Sequence, residues 1–233
     1  MEAEYLETEY LEDRHYTPAY GITRVIVRLV VLLLGGITVR GAENIPAQGP
    51  VILAPNHRAY MDPPYLSLVT RRQLRMMAKE ELFHNALFGR YLRAMSAFPV
   101  KRGTADRAAL KRAASELKAG RVLGIFPEGK RSDSGTLSPG EKGFALIARQ
   151  TGAPIIPIAL EGTDRVLPKH GGLHRAHVTA TIGEPRTAKE MLAEYTGEET
   201  DPLTIISTMT MAAIAALMSE PVTILGKAGD PLP

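Results

Sequence analysis

The chain has no cysteine in its 233 residues. It therefore has no thiolate nucleophile and no cysteine-held metal, and its chemistry must come from histidine, carboxylates, hydroxyls, lysine or arginine. These types gather in loops that follow apolar runs. In Asn56-His57-Arg58-Ala59-Tyr60-Met61-Asp62 an imidazole stands five residues before a carboxylate. If the loop folds back, His57 Nδ1–H donates to Asp62 and Nε2 is left as a free base, an acid–base dyad. Asp62, just before Pro63-Pro64, can N-cap the next helix while its carboxylate points back to the loop; the plainer alternative makes it merely that cap and His57 a surface residue. A second loop, Lys101-Arg102-Gly103, pairs a point charge with a planar fork ahead of a helix expected near Thr104, so side chains and helix N-terminus together suit a phosphate. Adjacent cations on a solvated face read the same way. In a third, Phe126-Pro127-Glu128-Gly129-Lys130-Arg131-Ser132, Glu128 offers a carboxylate to hydroxyls and Gly129 allows a tight turn, with positive charge beside them. A fourth block, residues 152 to 158, is mostly apolar and reads as a sheet strand.

These loops need a scaffold that brings strand ends together. Apolar runs at 51–54, 74–78, 97–100, 122–126, 155–160 and 178–182 read as strands. Helical patterns fall at 63–70, 85–95, 104–119, 139–151, 187–195 and 202–219, the last with Asp201 as N-cap and Pro202 at its first position. Alternating strands and helices predict an α/β fold, a mixed, largely parallel sheet covered by helices, with ligands collecting at strand ends. Residues 41–233 make one domain.

Composition agrees: 45% apolar and 23% charged residues describe an ordinary globular protein and exclude collagen, coiled coil and a disulfide framework. The net charge of +3 is unevenly spread. Six of the 25 acids lie in the first thirteen residues, read here within a solvated acidic arm, 1–16, leaving nineteen against 28 basic residues. Residues 71–112 hold eleven Lys and Arg against three acids, a surface suited to phosphates or anionic lipid, or a solvated face. Residues 17–40 read as a membrane-interface helix: Thr17 is a cap, Pro18 opens it and Gly35-Gly36 stops it. Arg24 and Arg28 share a face, while Leu29, Leu32 and Leu33 supply apolar contact. Only eleven residues run without charge, against about 20 for a span, so the helix lies on or dips into one leaflet with its Arg heads among lipid phosphates. A buried core helix is the alternative. His170, His174 and His177 lack the spacing of a metal site and read as a loop.

Taken in order, the blocks Asn-His-x4-Asp, Lys-Arg-Gly, Phe-Pro-Glu-Gly-x-Arg-Ser and the Pro-rich strand resemble the glycerolipid acyltransferase family typified by lysophosphatidic acid acyltransferase. They span residues 51–160. The resemblance implies a glycerol-3-phosphate acyltransferase-like fold and transfer of a fatty acyl group from an acyl thioester, acyl-CoA or acyl carrier protein, to lysophosphatidic acid, giving phosphatidic acid. It implies no cofactor and no metal, and a place on the cytoplasmic face of the cell membrane, peripheral or monotopic, with anionic lipids as partners. On the matching positions, His57 is the base and Asp62 its partner; Lys101, Arg102, Glu128, Gly129 and Arg131 are acceptor-binding. Ala59 departs from the small hydroxyl residue frequent at its position, and Lys130 from a frequent Thr. Glycerol 3-phosphate or another lysolipid as acceptor, or a non-catalytic lipid-binding protein on this scaffold, are the alternatives. Nucleic acid is excluded as a partner by the absence of Trp, 6% aromatics and the absence of a recognisable motif. Met76, Met77, Leu82, Phe83, Leu87 and Phe88 are expected near an acyl tunnel.

Overall fold

A computed structural model describes residues 17–101, 106–132, 136–168 and 170–225; the acidic arm lies outside them. Seven strands form the main sheet: β1 (Ile37–Arg40), β2 (Val51–Pro55), β3 (Leu74–Lys79), β4 (Ala97–Val100), β5 (Val122–Gly124), β7 (Ile155–Glu161) and β8 (Val178–Ile182), while β6 (Thr136–Leu137) and β9 (Thr223–Ile224) make a separate ribbon. The sheet order is β1-β8-β7-β2-β5-β3-β4. Neighbours are parallel except at β7 and β8, which run antiparallel, so the sheet is mixed and largely parallel as expected.

Its centre is buried on both faces, and the strand sequences show it. β2, Val-Ile-Leu-Ala-Pro, is buried at every position, the continuous apolar run of a parallel strand covered by two helical layers. Alternation sends Val51 and Leu53 to a layer with Tyr20, Leu66 and Met95, and Ile52 and Ala54 to one with Leu117, Phe144, Met191 and Ile206. The first layer is built from α1 (Pro18–Leu33), α2 (Asp62–Leu66) and α3 (Ala86–Ala94). The second is built from α4 (Arg107–Lys118), α5 (Lys142–Thr151), α7 (Ala188–Glu194) and α8 (Pro202–Ala216), with α6 (Thr163–Val166) in the connection to β8. Met76 and Met77 fall into opposite layers and Leu87 is exposed, so the six suspected tunnel residues do not line one cavity.

The first helix corrects the sequence reading twice. It ends at Leu33, and after Gly35-Gly36 the chain becomes β1, an edge strand paired in parallel with β8; 37–40 therefore belong to the sheet. Both glycines have positive φ, and a Cβ on Gly35 would lie 2.5 Å from the Ala176 carbonyl oxygen, so this turn requires the residue without one. Second, Arg24 is not among lipid phosphates. It is 7% exposed and donates to the carbonyls of Ser67 (3.0 Å) and Thr70 (2.8 Å). The buried stripe of α1 is Tyr20, Arg24, Val27 and Val31. Tyr20 Oη accepts from the Leu74 amide, and Thr17 pairs with the Gln73 side chain, so Thr17, Tyr20 and Arg24 all reach residues 67–74. The other face leaves Ile22, Arg28, Leu29, Leu32 and Leu33 to solvent.

Removing the Arg24 head leaves two carbonyls short of donors in a closed site, at about 1.5–3 kcal/mol for each charge-assisted bond. Arg24→Ala is expected to lose about 2–5 kcal/mol of unfolding free energy, and Arg28→Ala within about 0.5 kcal/mol of none; urea midpoints compare them.

Candidate active site

All five parallel strands from β4 to β7 end at one edge of the sheet, and there the loops meet. The loop after β2 leaves the sheet by a side-chain imitation of strand pairing. The Asn56 carboxamide donates to the Leu160 carbonyl (3.0 Å) and accepts from the Leu160 amide (2.6 Å), continuing the β2–β7 pairing for another residue. His57 follows at once. Its Nδ1 donates to Asp62 Oδ2 at 2.7 Å, and the same oxygen accepts the amides of Arg58 (2.7 Å) and Ala59 (2.8 Å). A carboxylate oxygen only accepts, so Nδ1 carries the proton and Nε2 presents a lone pair.

Asp62 is fully buried and is the first residue of α2, whose N-cap is Met61. The expectation that Asp62 caps this helix is therefore corrected, while its carboxylate turns back to the loop before it as expected. His57 is 6% exposed, its ring stacked on Phe126 with centroids 4.0 Å apart. The Ser132 amide (2.8 Å) and hydroxyl (3.2 Å) both donate to the His57 carbonyl. The ring is thus held from its face, its Nδ1 and its own backbone.

The loop after β5 supplies most of these restraints. Glu128, expected to meet a substrate hydroxyl, is 1% exposed, with Oε1 accepting the His57 amide (2.7 Å) and Oε2 the Ser138 amide (2.8 Å). It clamps the histidine's backbone. Burial pushes its carboxyl above the ordinary range, against the opposing pull of the His57 amide, the Ser132 side chain and the Ser138 amide. Gly129 has φ +66° and its amide donates to the Phe126 carbonyl, so it closes the turn that aims Glu128 inward. Arg131 lies over the exposed Tyr60 ring, 3.6 Å from its centroid, a cation–π contact at the mouth of the site.

The remaining predicted residues are less close. Lys101 follows β4, the edge strand three places from β2, and its Nζ lies 4.0 Å from Glu80. Arg102 lies outside the described residues. The helix expected to offer amides there starts at Arg107, and its N-cap Asp106 accepts from the amides of Ala109 and Lys101. That end already holds a carboxylate. Phe126, Ser132 and Asn56 stood in the sequence blocks with no role assigned. Among the described residues no group of three or more His, Asp or Glu is placed to hold a metal; His177 is tied to Gly35 and Thr38.

A family model described as Acyltransferase matches residues 36–161, more than half of the chain, covering every loop just described. The chain belongs to the acyltransferase family. It is 32% identical over 162 residues to the 1-acyl-sn-glycerol-3-phosphate acyltransferase of Bacillus subtilis, across 68% of this chain and 78% of that protein. It is 34% identical over 165 residues to the Streptococcus pneumoniae enzyme of the same name, across 67% of this chain and 60% of that one. The fold matches the crystal structure of the 1-acyl-sn-glycerophosphate (LPA) acyltransferase PlsC from Thermotoga maritima, with a TM-score of 0.67 at 24% identity over 94% of this chain and 90% of that one. As an O-acyltransferase, the protein has at its strand ends a histidine whose free nitrogen is fixed in place, which is what deprotonating a hydroxyl needs.

Glu128 sets that position, and its replacement is a direct check. Glu128→Ala strands two buried amides and is expected to lower unfolding free energy by about 2–5 kcal/mol; Glu128→Gln, which satisfies one of them, falls between. Because the folded carboxyl titrates above its unfolded value, the native state holds the proton more tightly, and stability from this group falls as pH rises through the raised value. The gap between wild type and Glu128→Gln therefore narrows over that rise in a pH series of melting curves.

Proposed function

We propose that this acyltransferase moves a fatty acyl group from an acyl thioester, acyl-CoA or acyl carrier protein, to the free hydroxyl of lysophosphatidic acid, giving phosphatidic acid. The observation that carries the reading is the 2.7 Å bond from His57 Nδ1 to Asp62 Oδ2, with two further amides on the same oxygen. The substrate class follows the names borne by the Bacillus and Streptococcus relatives. His57 Nε2 takes the hydroxyl proton as the oxygen attacks the thioester carbonyl, and Asp62 stabilises the imidazolium. The tetrahedral intermediate collapses with loss of the thiolate, which recovers the proton from Nε2. Without a cysteine there is no thiol nucleophile in the protein to carry the acyl group, so transfer is direct. Arg131, with Lys101 and Arg102, offers positive charge to the acceptor's phosphate and fixes which hydroxyl reaches the base.

The product and acceptor are lipids, and the outer face of α1 supports a place at a membrane surface. Leu32 and Leu33 are 67% and 71% exposed, with Ile22, Ile26 and Leu29 beside them and Arg28 at their edge. Among the described residues no helix is long and apolar enough to cross a membrane, so the contact we propose is peripheral or monotopic, with anionic lipid meeting Arg28. Acyl-CoA and acyl carrier protein are cytoplasmic molecules, which puts the enzyme on that side.

Thiol release from a long-chain acyl-CoA, followed with Ellman's reagent, tests the reaction without background from the protein. Release that needs lysophosphatidic acid and falls about 10²–10⁴-fold in His57→Ala is expected; equal turnover in the variant would disprove the base. For the membrane face, Leu29→Glu with Leu33→Glu is expected to cut cosedimentation with anionic vesicles at least about tenfold, since each leucine contributes about 1.5–3 kcal/mol when buried. Its melting temperature should stay close to wild type.

A further inference from the structure

One charged side chain beside the base has no part in the mechanism above. Arg58 directly follows His57, and its amide is bound to Asp62 Oδ2, so its Cα is fixed as firmly as the dyad. Its guanidinium leaves the loop towards the end of α8, where Nη2 lies 3.9 Å from Met218 Sδ, a weak acceptor. Nε is buried and has no hydrogen-bond partner among the described residues. Met218 packs on the apolar cluster of Leu137, Met211 and Ile214, so the charge rests against a greasy wall.

The buried arginines here spend their heads on the fold itself. Arg24 has two carbonyls, Arg72 donates to the carbonyls of Pro46, Gly49 and Gly120, and Arg75 meets Glu116. Arg58 is half-buried, with Nε enclosed and Nη2 against a thioether, and a donor held that way gains from a ligand that completes it. Its forked donors match the oxygens of a phosphate. The direction is informative too. Arg131 follows β5, on one side of β2; Met218 leads to Ser219, whose amide and hydroxyl both donate to Glu161 at the end of β7, on the other.

We propose that Arg58 is a second phosphate-binding cation of the active site, on the β7 side of His57, opposite Arg131. This rests on the acyl-transfer reading, in which acceptor and donor both bring phosphate: the glycerol phosphate of one, the pantetheine-linked phosphates of the other. The phosphate of either fits Arg58, and the experiment separates them.

Binding of glycerol 3-phosphate and of coenzyme A is measured by calorimetry for wild type, Arg58→Lys and Arg58→Gln. KM values are taken in parallel for lysophosphatidic acid against monoacylglycerol, and for acyl-CoA against acyl-pantetheine. Arg58→Gln is expected to weaken one phosphate ligand about tenfold to a hundredfold, as loss of a charge-assisted bond predicts, with Arg58→Lys intermediate and the phosphate-free counterpart within about twofold. Loss confined to glycerol 3-phosphate and lysophosphatidic acid assigns the acceptor; loss confined to coenzyme A assigns the donor. A folded Arg58→Gln protein that binds both as wild type does, or whose KM rises equally for the phosphate-free compounds, overturns the proposal. Should that variant not fold, phenylglyoxal labelling of wild type mapped by mass spectrometry decides: protection of Arg58 by one ligand supports the site, and equal labelling with both overturns it. Calorimetry needs no turnover, so a wild type inactive on every thioester would sink acyl transfer and leave this result standing on its own.

Discussion

One carboxylate oxygen organises the catalytic edge. Three N–H groups, from the His57 ring and the amides of Arg58 and Ala59, converge on Asp62 Oδ2, and a chain of seven residues can achieve that only by curling tightly around it. The curl fixes the imidazole tautomer, starts α2 at a defined place and sends Arg58 away from Asp62. Because the oxygen is fully enclosed, its donors have no water to exchange with, and losing one costs more than on the surface. The dyad is therefore also the fold of its own loop.

Such a loop still has to be attached to the sheet at a fixed angle, and here neighbouring strands contribute. Asn56 binds Leu160 of β7 on one side, while Glu128, Ser132 and Phe126 from the loop after β5 hold His57 on the other. The order β7-β2-β5 makes this possible. β2 lies between the two strands that grip it, so His57 is positioned by hydrogen bonds on both flanks. Burial raises the pKa of the Glu128 carboxyl, and the two amides and the Ser132 side chain around it pull against that rise.

This arrangement also explains how much could be read from the sequence. The dyad was legible because both members lie in one loop, five residues apart, a spacing that needs no knowledge of topology. Most strands were legible from apolar runs, and Ala97–Val100 and Val178–Ile182 fall where the pattern puts them. The roles of Glu128 and Phe126 were not, since they depend on β5 lying beside β2 across some seventy residues, and a carboxylate clamping an amide has the same sequence as one awaiting a hydroxyl. β1 was hidden because Leu29 to Val39 is one charge-free stretch in which only two glycines mark the change from helix to strand. Arg24 was misplaced for a geometric reason. It lies about 40° from Arg28 around the helix, and the boundary of the buried stripe passes between them.

That boundary changes what α1 is. A helix whose leucines face outward invites description as an anchor attached to an independent catalytic domain. Yet its inner face puts Tyr20 into the core with Leu53, Leu66 and Leu74, and its polar groups are bound to Ser67, Thr70, Gln73 and Leu74. Those residues form the return from α2, the helix that begins with Asp62, to the sheet. Detaching α1 would uncover Leu66 and leave the carbonyls after α2 without their donors, at the far end of the element that carries the dyad's carboxylate. The apolar surface offered outward and the His57–Asp62 pair turned inward are therefore supported by the same packed layer. The catalytic unit includes α1, which precedes the first of the sequence blocks.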